Sequence, residues 1–244
     1  MNVQNHAVVS REEWLAARKQ HLAREKAFTR ERDKLSAERR ALPWVKIDKN
    51  YRFQGHDGEL KLADLFGGRS QLIIYHFMFA EGWDEGCPGC SFLSDHIDGA
   101  NQHLAHHDVA VVAVSHAPLA EFQAFKRRMG WKFDWVSSAG CDFNYDFGVS
   151  ARAEDVAAGK ATYNYEKSDG AEEELPGLSV FYCNDAGDIF HTYSTYARGL
   201  DLLVGAYNFL DLTPKGRNEE EIMEWVRHHD RYDDKASSSC CHGG

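Results

Sequence analysis

Cys87 and Cys90, in the run Gly86-Cys-Pro-Gly-Cys-Ser, are the residues whose type and spacing most directly imply chemistry. Two thiols separated by two residues at a helix start can cycle between dithiol and disulfide. The spacing predicts Cys87 at the N-cap, where its sulfur receives unpaired N–H groups of the first turn and the positive end of the helix favours thiolate over thiol. Pro88 falls at the first helical position, where a missing N–H costs nothing and the fixed φ suits the helix. Cys90, one turn further in, is placed to attack the mixed disulfide that Cys87 forms. Glu81, Asp84 and Glu85 oppose the effect, because nearby negative charge raises a thiol pKa. Zinc is the rival chemistry for such a pair. It would recruit Cys240, Cys241 and His242, but adjacent cysteines chelate one tetrahedral ion poorly. No metal and no cofactor is therefore expected.

Other side chains could support the pair. His76, on a buried strand ahead of it, could shuttle a proton to Cys90, although a hydrogen-bonded core histidine has the same sequence signature. Trp83 could shield Cys87 from water or anchor its loop. Trp131, Phe133, Trp135, Phe143, Tyr145 and Phe147 read as one packed cluster that could also wall a pocket near Cys87. Cys141 among them reads as a buried inert thiol. His103 and His107 share a helix face, but no acidic or thiol ligand stands beside them, so a solvated patch is preferred to a metal site.

The elements that must position these residues follow from patterning. Gln71 to Ala80 is a continuous apolar run, the mark of a strand covered on both faces. A helix is predicted from Pro88 to about His103, a second buried strand over Val109–Ser115, and an amphipathic helix from Pro118 to Met129 capped by Gly130. Tyr51 opens a strand and turn, and Leu60 to Phe66 reads as a short helix or turn. Residues 131–150 read as irregular and 153–174 as an exposed insertion. Leu178–Tyr182 and Asp188–Tyr196 flank an Asn184-Asp-Ala-Gly turn as a hairpin, and Leu200–Leu210 closes the chain as a helix. Strand, helix, strand, helix, insertion, hairpin, helix, with the cysteines just after the first of these strands, is the layout of the thioredoxin fold: α/β, a central mixed sheet flanked by helices.

Residues 11–42 precede that unit as one long helix, opened by a Ser10/Glu13 capping box and ended by Pro43. The organisation expected is a helical arm over 1–43, a thioredoxin-like domain over 44–232 with an insertion at about 150–175, and a disordered tail over 233–244. Residues 11–40 carry ten Lys/Arg against six Asp/Glu, a net of +4, while the whole chain of 244 residues carries −10. The remainder is therefore at −14. A basic helix about 45 Å long with a narrow stripe of Leu15, Leu22, Phe28 and Leu35 needs a surface to lie on. A homodimer through this helix is one arrangement that supplies it, and a helix that wraps its own domain in a monomer is the other. The acidic body excludes nucleic acid as the main partner. No apolar run approaches the roughly 20 residues of a membrane span, and the N-terminus lacks a signal pattern, so a cytoplasmic location is expected.

Several stretches carry a more specific likeness: Leu42-Pro-Trp-Val, Gln71-Leu-Ile-Ile-Tyr-His-Phe-Met-Phe, Gly86-Cys-Pro-Gly-Cys-Ser, Arg128-Met-Gly-Trp, Asp142-Phe-Asn-Tyr-Asp-Phe, Tyr207-Asn-Phe-Leu-Asp-Leu-Thr-Pro-Lys-Gly-Arg and Trp225-Val-Arg-His-His-Asp. They resemble the thioredoxin-like family known as DUF899 over nearly the whole chain. The resemblance implies a thioredoxin-like fold and a dithiol–disulfide oxidoreductase acting on a protein or small-molecule disulfide or thiol. Asp134 and Cys141 depart from the family's pattern, standing where a proline and a small polar residue are expected. The superfamily places a cis-proline before the hairpin, facing the cysteines. Pro176 is the candidate, about two residues early by the count from Asn184. A peroxiredoxin-like thiol peroxidase and a non-catalytic interaction protein on the same scaffold are the alternatives. The peroxidase would want a threonine and an arginine near the nucleophile, and residues 84–93 hold neither.

Overall fold

The computed structural model describes residues 6–169 and 173–232. Cys240, Cys241, His242 and the rest of the tail from residue 233 lie outside the described residues. Helix α1 (Arg11–Arg40) opens with the capping box read from sequence: the Ser10 hydroxyl accepts from the Glu13 N–H at 3.2 Å and the Glu13 carboxylate accepts from the Ser10 N–H at 2.9 Å. None of its residues is buried, and Leu15, Leu22, Phe28 and Leu35 are exposed.

Ten strands follow: β1 (Val45–Lys46), β2 (Arg52–Gly55), β3 (Gly58–Lys61), β4 (Gln71–His76), β5 (Val109–Ser115), β6 (Asp134–Ser137), β7 (Thr162–Tyr163), β8 (Glu166–Lys167), β9 (Gly177–Cys183) and β10 (Ile189–Tyr196). Eight form one sheet in the order β1-β10-β9-β4-β5-β6-β2-β3, and β7 with β8 make a small separate hairpin in the insertion. β4, β5 and β6 are mutually parallel, and β9 returns antiparallel beside β4. Helix α2 (Pro88–His106) joins β4 to β5, and α3 (Leu119–Met129) joins β5 to β6. The four central strands, β5-β4-β9-β10, have the thioredoxin order, and the chain has that fold.

Period-two alternation along β4 divides the core in two. Tyr75 and, just past the strand, Phe77 and Phe79 face α2, α3 and the closing helix, with Cys90, Phe92, Phe122, Phe125 and Tyr207. Leu72 and Ile74 face the other way, onto Tyr51, Phe53, Phe66, Phe143 and Phe181. Four elements differ from the sequence reading. Gly58–Lys61 pairs with β2 as a hairpin, and only Asp64–Phe66 is helical. Residues 131–150 are not irregular: they contain β6 and a one-turn helix, α4 (Phe143–Asp146). The aromatic residues there do not form one cluster, because the sheet separates Trp131, Phe133 and Trp135 from Phe143 and Phe147. The closing helix breaks at Val204, into a 3-10 stretch (Ala197–Leu203) and a helix (Gly205–Leu210). Within the insertion, Ala153–Ala157 forms α5, so the closing helix is α6. No helix among the described residues is long and apolar enough to cross a membrane.

The insertion is fastened back by Glu174, which bridges to Ser150 and whose carboxylate accepts from Ser150 Oγ and Asn144 Nδ2. Burial pushes this carboxyl up to about 8, and the bonds from Ser150 and Asn144 offset only part of that. A carboxyl raised on folding is protonated more readily in the native state. Its contribution is fully present below the ordinary glutamate value and is lost as pH rises through the folded one. Stability to urea should therefore fall between about pH 4.5 and 8, and Glu174→Gln should flatten that decline by up to about 5 kcal/mol. Equal slopes for the two proteins would show that Glu174 does not carry the dependence.

Candidate active site

Beyond β4 the chain stays against β5, with the Phe77 N–H donating to the Val114 carbonyl at 2.9 Å, and then turns at Ala80–Trp83. The loop returns so that the Cys87 N–H meets the Met78 carbonyl at 3.4 Å. Gly86 makes this return possible. A Cβ there would lie 2.6 Å from the Phe77 ring and 2.7 Å from the Phe125 ring, so the backbone rests directly on the aromatic floor. Cys87 is the N-cap of α2, and its Sγ accepts from the Cys90 N–H at 3.5 Å. The Cys87 carbonyl accepts from both the N–H and the hydroxyl of Ser91, each at 2.9 Å. Cys87 is partly exposed and Cys90 is buried.

The two thiols are thus unequal. Burial raises the Cys90 thiol well above its ordinary value, and the hydrogen bond it gives to Cys87 raises it further. Bonds from the Tyr75 hydroxyl and the Met78 backbone pull the other way. Cys90 therefore holds its proton, and those two groups favour its thiolate when the proton leaves. Tyr75 is itself held far above its usual pKa, first by complete burial and then by Cys90.

His76 does not fill this role. It is the next residue along β4, so its ring emerges on the opposite face of the sheet, over Phe143 and Phe147. Its Nε2 bonds to Ser179 Oγ at 2.8 Å, and burial, with His191 adding to it, lowers its pKa to about 3. It is a neutral core histidine, and the polar side chain at Cys90 is Tyr75. Trp83 does lie beside Cys87, half-buried in the same cavity wall. Pro176 immediately precedes β9, whose Gly177 pairs with His76. No cis peptide bond occurs among the described residues. The Pro176 carbonyl accepts from the Tyr163 hydroxyl at 2.7 Å, and Pro176 is not part of the wall around Cys87. Leu178, the residue that the count from the turn selects, packs in the core cluster that holds Cys90. Cys141 lies in the other core, across the sheet.

The C-terminal segment contributes what no local sequence signal disclosed. Residues 223–231 strap across the start of α2. Met223 Sδ stands 2.9 Å from where a Cβ on Gly89 would be, Trp225 packs edge-on against Phe92, and Val226 is buried. His228, also buried, bonds through Nε2 to the Gly86 carbonyl at 2.8 Å, while Arg128 Nη2 donates to its Nδ1 at 3.0 Å. With Nδ1 accepting, Nε2 carries the proton and donates to the loop just before Cys87. Glu85 binds Arg128 at 2.6 Å and also pairs with Arg231. Desolvation works to raise its carboxyl, but bonds from Arg231 and Arg128 outweigh this and hold it below the ordinary range. The opposing charge expected from Glu85 is thus neutralised, and Glu81 and Asp84 are solvent-exposed. Strap and loop border an open cavity of about 470 Å³ lined by Met78, Trp83, Cys87, Pro88, Arg227 and Arg231, among others.

The chain belongs to the family of bacterial proteins of unknown function designated DUF899, whose model matches residues 3–232. It matches no curated protein sequence. Among solved structures it is similar to the peroxidoxin BcpB from Mycobacterium tuberculosis, at 12% identity and a TM-score of 0.45, covering 66% of this chain and 93% of that one. It is also similar to a peroxiredoxin Q variant from Xylella fastidiosa, at 11% identity and a TM-score of 0.44, covering 68% and 94%. A Bacteroides thetaiotaomicron protein described as a disulfide isomerase gives 15% identity and a TM-score of 0.39, over 73% and 94%.

The contact between Tyr75 and Cys90 generates a test. Tyr75→Phe removes a bond that favours the Cys90 thiolate, so a mixed disulfide on Cys87 should resolve about tenfold more slowly, the value of one hydrogen bond to a charged group. Quenched-flow mass spectrometry follows the decay. His76→Gln, across the sheet, should leave that rate as it is. Slowing by His76→Gln and not by Tyr75→Phe would reverse the assignment.

Proposed function

We propose that this protein is a thiol–disulfide oxidoreductase in which Cys87 attacks and Cys90 resolves. The observation that carries the proposal is the asymmetry of the pair: Cys87 is half-exposed in a cavity at the helix N-terminus, with the Cys90 N–H on its sulfur, while Cys90 is buried and keeps its proton. The outer sulfur attacks a substrate S–S bond and expels one thiolate. The inner one then loses its proton and attacks Cys87 Sγ, expelling the second thiolate and leaving the Cys87–Cys90 disulfide. The substrate gains two electrons and the protein loses two.

A thiol peroxidase is the second reading, and one observation favours it. The arginines absent from residues 84–93 are supplied by the strap, as Arg227 and Arg231 in the cavity wall. No threonine lines that wall among the described residues. Rates of hydrogen peroxide and disulfide reduction measured side by side separate the two readings, because a peroxidase consumes hydrogen peroxide faster than it reduces any disulfide.

Cys90→Ser should trap substrate on Cys87 as a stable mixed disulfide, seen as one substrate half per chain by intact mass. Cys87→Ser should trap none and turn over nothing. Adduct on Cys90 of the Cys87→Ser protein, formed as fast as on Cys87, would contradict the division of labour.

A further inference from the structure

The cavity wall says something about which disulfide is taken. Trp83, Met78 and Pro88 give it an apolar side that suits a sulfur and its methylene groups. Its charged side is unbalanced. Arg128 and Arg231 are matched by Glu85 and Asp230 through the pairs Arg128–Glu85, Arg231–Glu85 and Arg128–Asp230. Arg227 is not matched: its Nη1 donates to the carbonyls of Glu224 and Val226, and no carboxylate among the described residues pairs with it. Among the described residues, a guanidinium without a carboxylate partner therefore sits on the rim of the cavity that holds Cys87, in a chain whose net charge is −10. A guanidinium is the side chain best shaped to receive a carboxylate.

Resting on the oxidoreductase reading above, we infer that the substrate is a small disulfide bearing carboxylates, with its reacting sulfur between Trp83 and Cys87 and a carboxylate on Arg227. Cys87 joins one sulfur of R–S–S–R and releases R–S⁻. Cys90 then displaces the second R–S⁻ from Cys87, so each substrate molecule takes two electrons and the two thiols supply two protons. Arg227 takes no part in the bond exchange and acts by holding the anion.

Three disulfides with the same two-methylene spacer between sulfur and head group test this on the reduced full-length protein: 3,3′-dithiodipropionate (two negative charges), bis(2-hydroxyethyl) disulfide (neutral) and cystamine (two positive charges). Single-turnover rates are read by quenching with an alkylating agent and counting oxidised chains by mass. Each rate is divided by that of dithiothreitol with the same disulfide, which removes differences in leaving-group chemistry. The normalised rates should fall in the order anionic, neutral, cationic, with about tenfold between the extremes at low salt and less at high salt. Arg227→Glu should reverse the order and Arg227→Lys should keep it. Equal normalised rates, or an order untouched by Arg227→Glu, would overturn the assignment while leaving the redox reading standing. Insulin reduced faster than the anionic disulfide would also overturn it, in favour of a protein substrate. Failure to reduce any of the four would remove the redox reading and this assignment with it.

Discussion

The unpaired N–H groups at the start of α2 need an acceptor, and the Cys87 sulfur serves only because the loop before it is pinned in one place. Gly86 lies on the rings of Phe77 and Phe125 with no room for a side chain. The Cys87 N–H is tied to Met78, and the Gly86 carbonyl is tied to His228. With the Cys87 sulfur set at the N-cap by these contacts, helical geometry puts the second sulfur one turn inward, under the loop and against Tyr75. Exposure of one thiol and burial of the other are consequences of this single junction between a strand end and a helix start.

The strap extends the same constraint. It supplies His228 to the loop, Arg231 to Glu85, and Arg227 to the cavity rim, all from a stretch of nine residues far along the chain. Its hold is partly apolar, through Val226 and Trp225, and partly ionic, through Arg128–Asp230 and Arg231–Glu85. The ionic pairs are exposed enough that each contributes little alone. Their effect is to place charge: they cancel a carboxylate two residues from Cys87 and, among the described residues, leave Arg227 without a carboxylate partner.

Much of this was legible in the residues. The cysteine spacing, the proline at the first helical position, the buried runs at 71–80 and 109–115, and the Ser10/Glu13 box report their own surroundings, because caps and strand alternation are local properties. What failed was non-local. His76 and Tyr75 are adjacent, and which of them faces Cys90 depends on the side of the sheet that α2 crosses, which period-two alternation alone leaves open. Trp131 to Phe147 read as one cluster because sequence proximity conceals the sheet running between them. The short strand Asp134–Ser137 is stabilised by β5 and by the Trp135 indole on Ser115, not by its own propensity. The strap has no periodicity; its Trp225-Val-Arg-His-His-Asp run carries the family likeness, but only its tertiary contacts show that it lies over the start of α2.

The central claim is that Cys87 and Cys90 act as one two-electron couple. The most direct measurement equilibrates the full-length protein in buffers of graded reduced-to-oxidised glutathione ratio, quenches it with an alkylating agent, and reads the peptide carrying both cysteines by mass spectrometry. The account predicts one transition from doubly alkylated to intramolecularly disulfide-bonded peptide, with a tenfold change in the equilibrium constant for about every 30 mV, as two electrons require. A peptide that stays doubly alkylated at every ratio, or that ends as a glutathione adduct on Cys87 with Cys90 still alkylated, would contradict it.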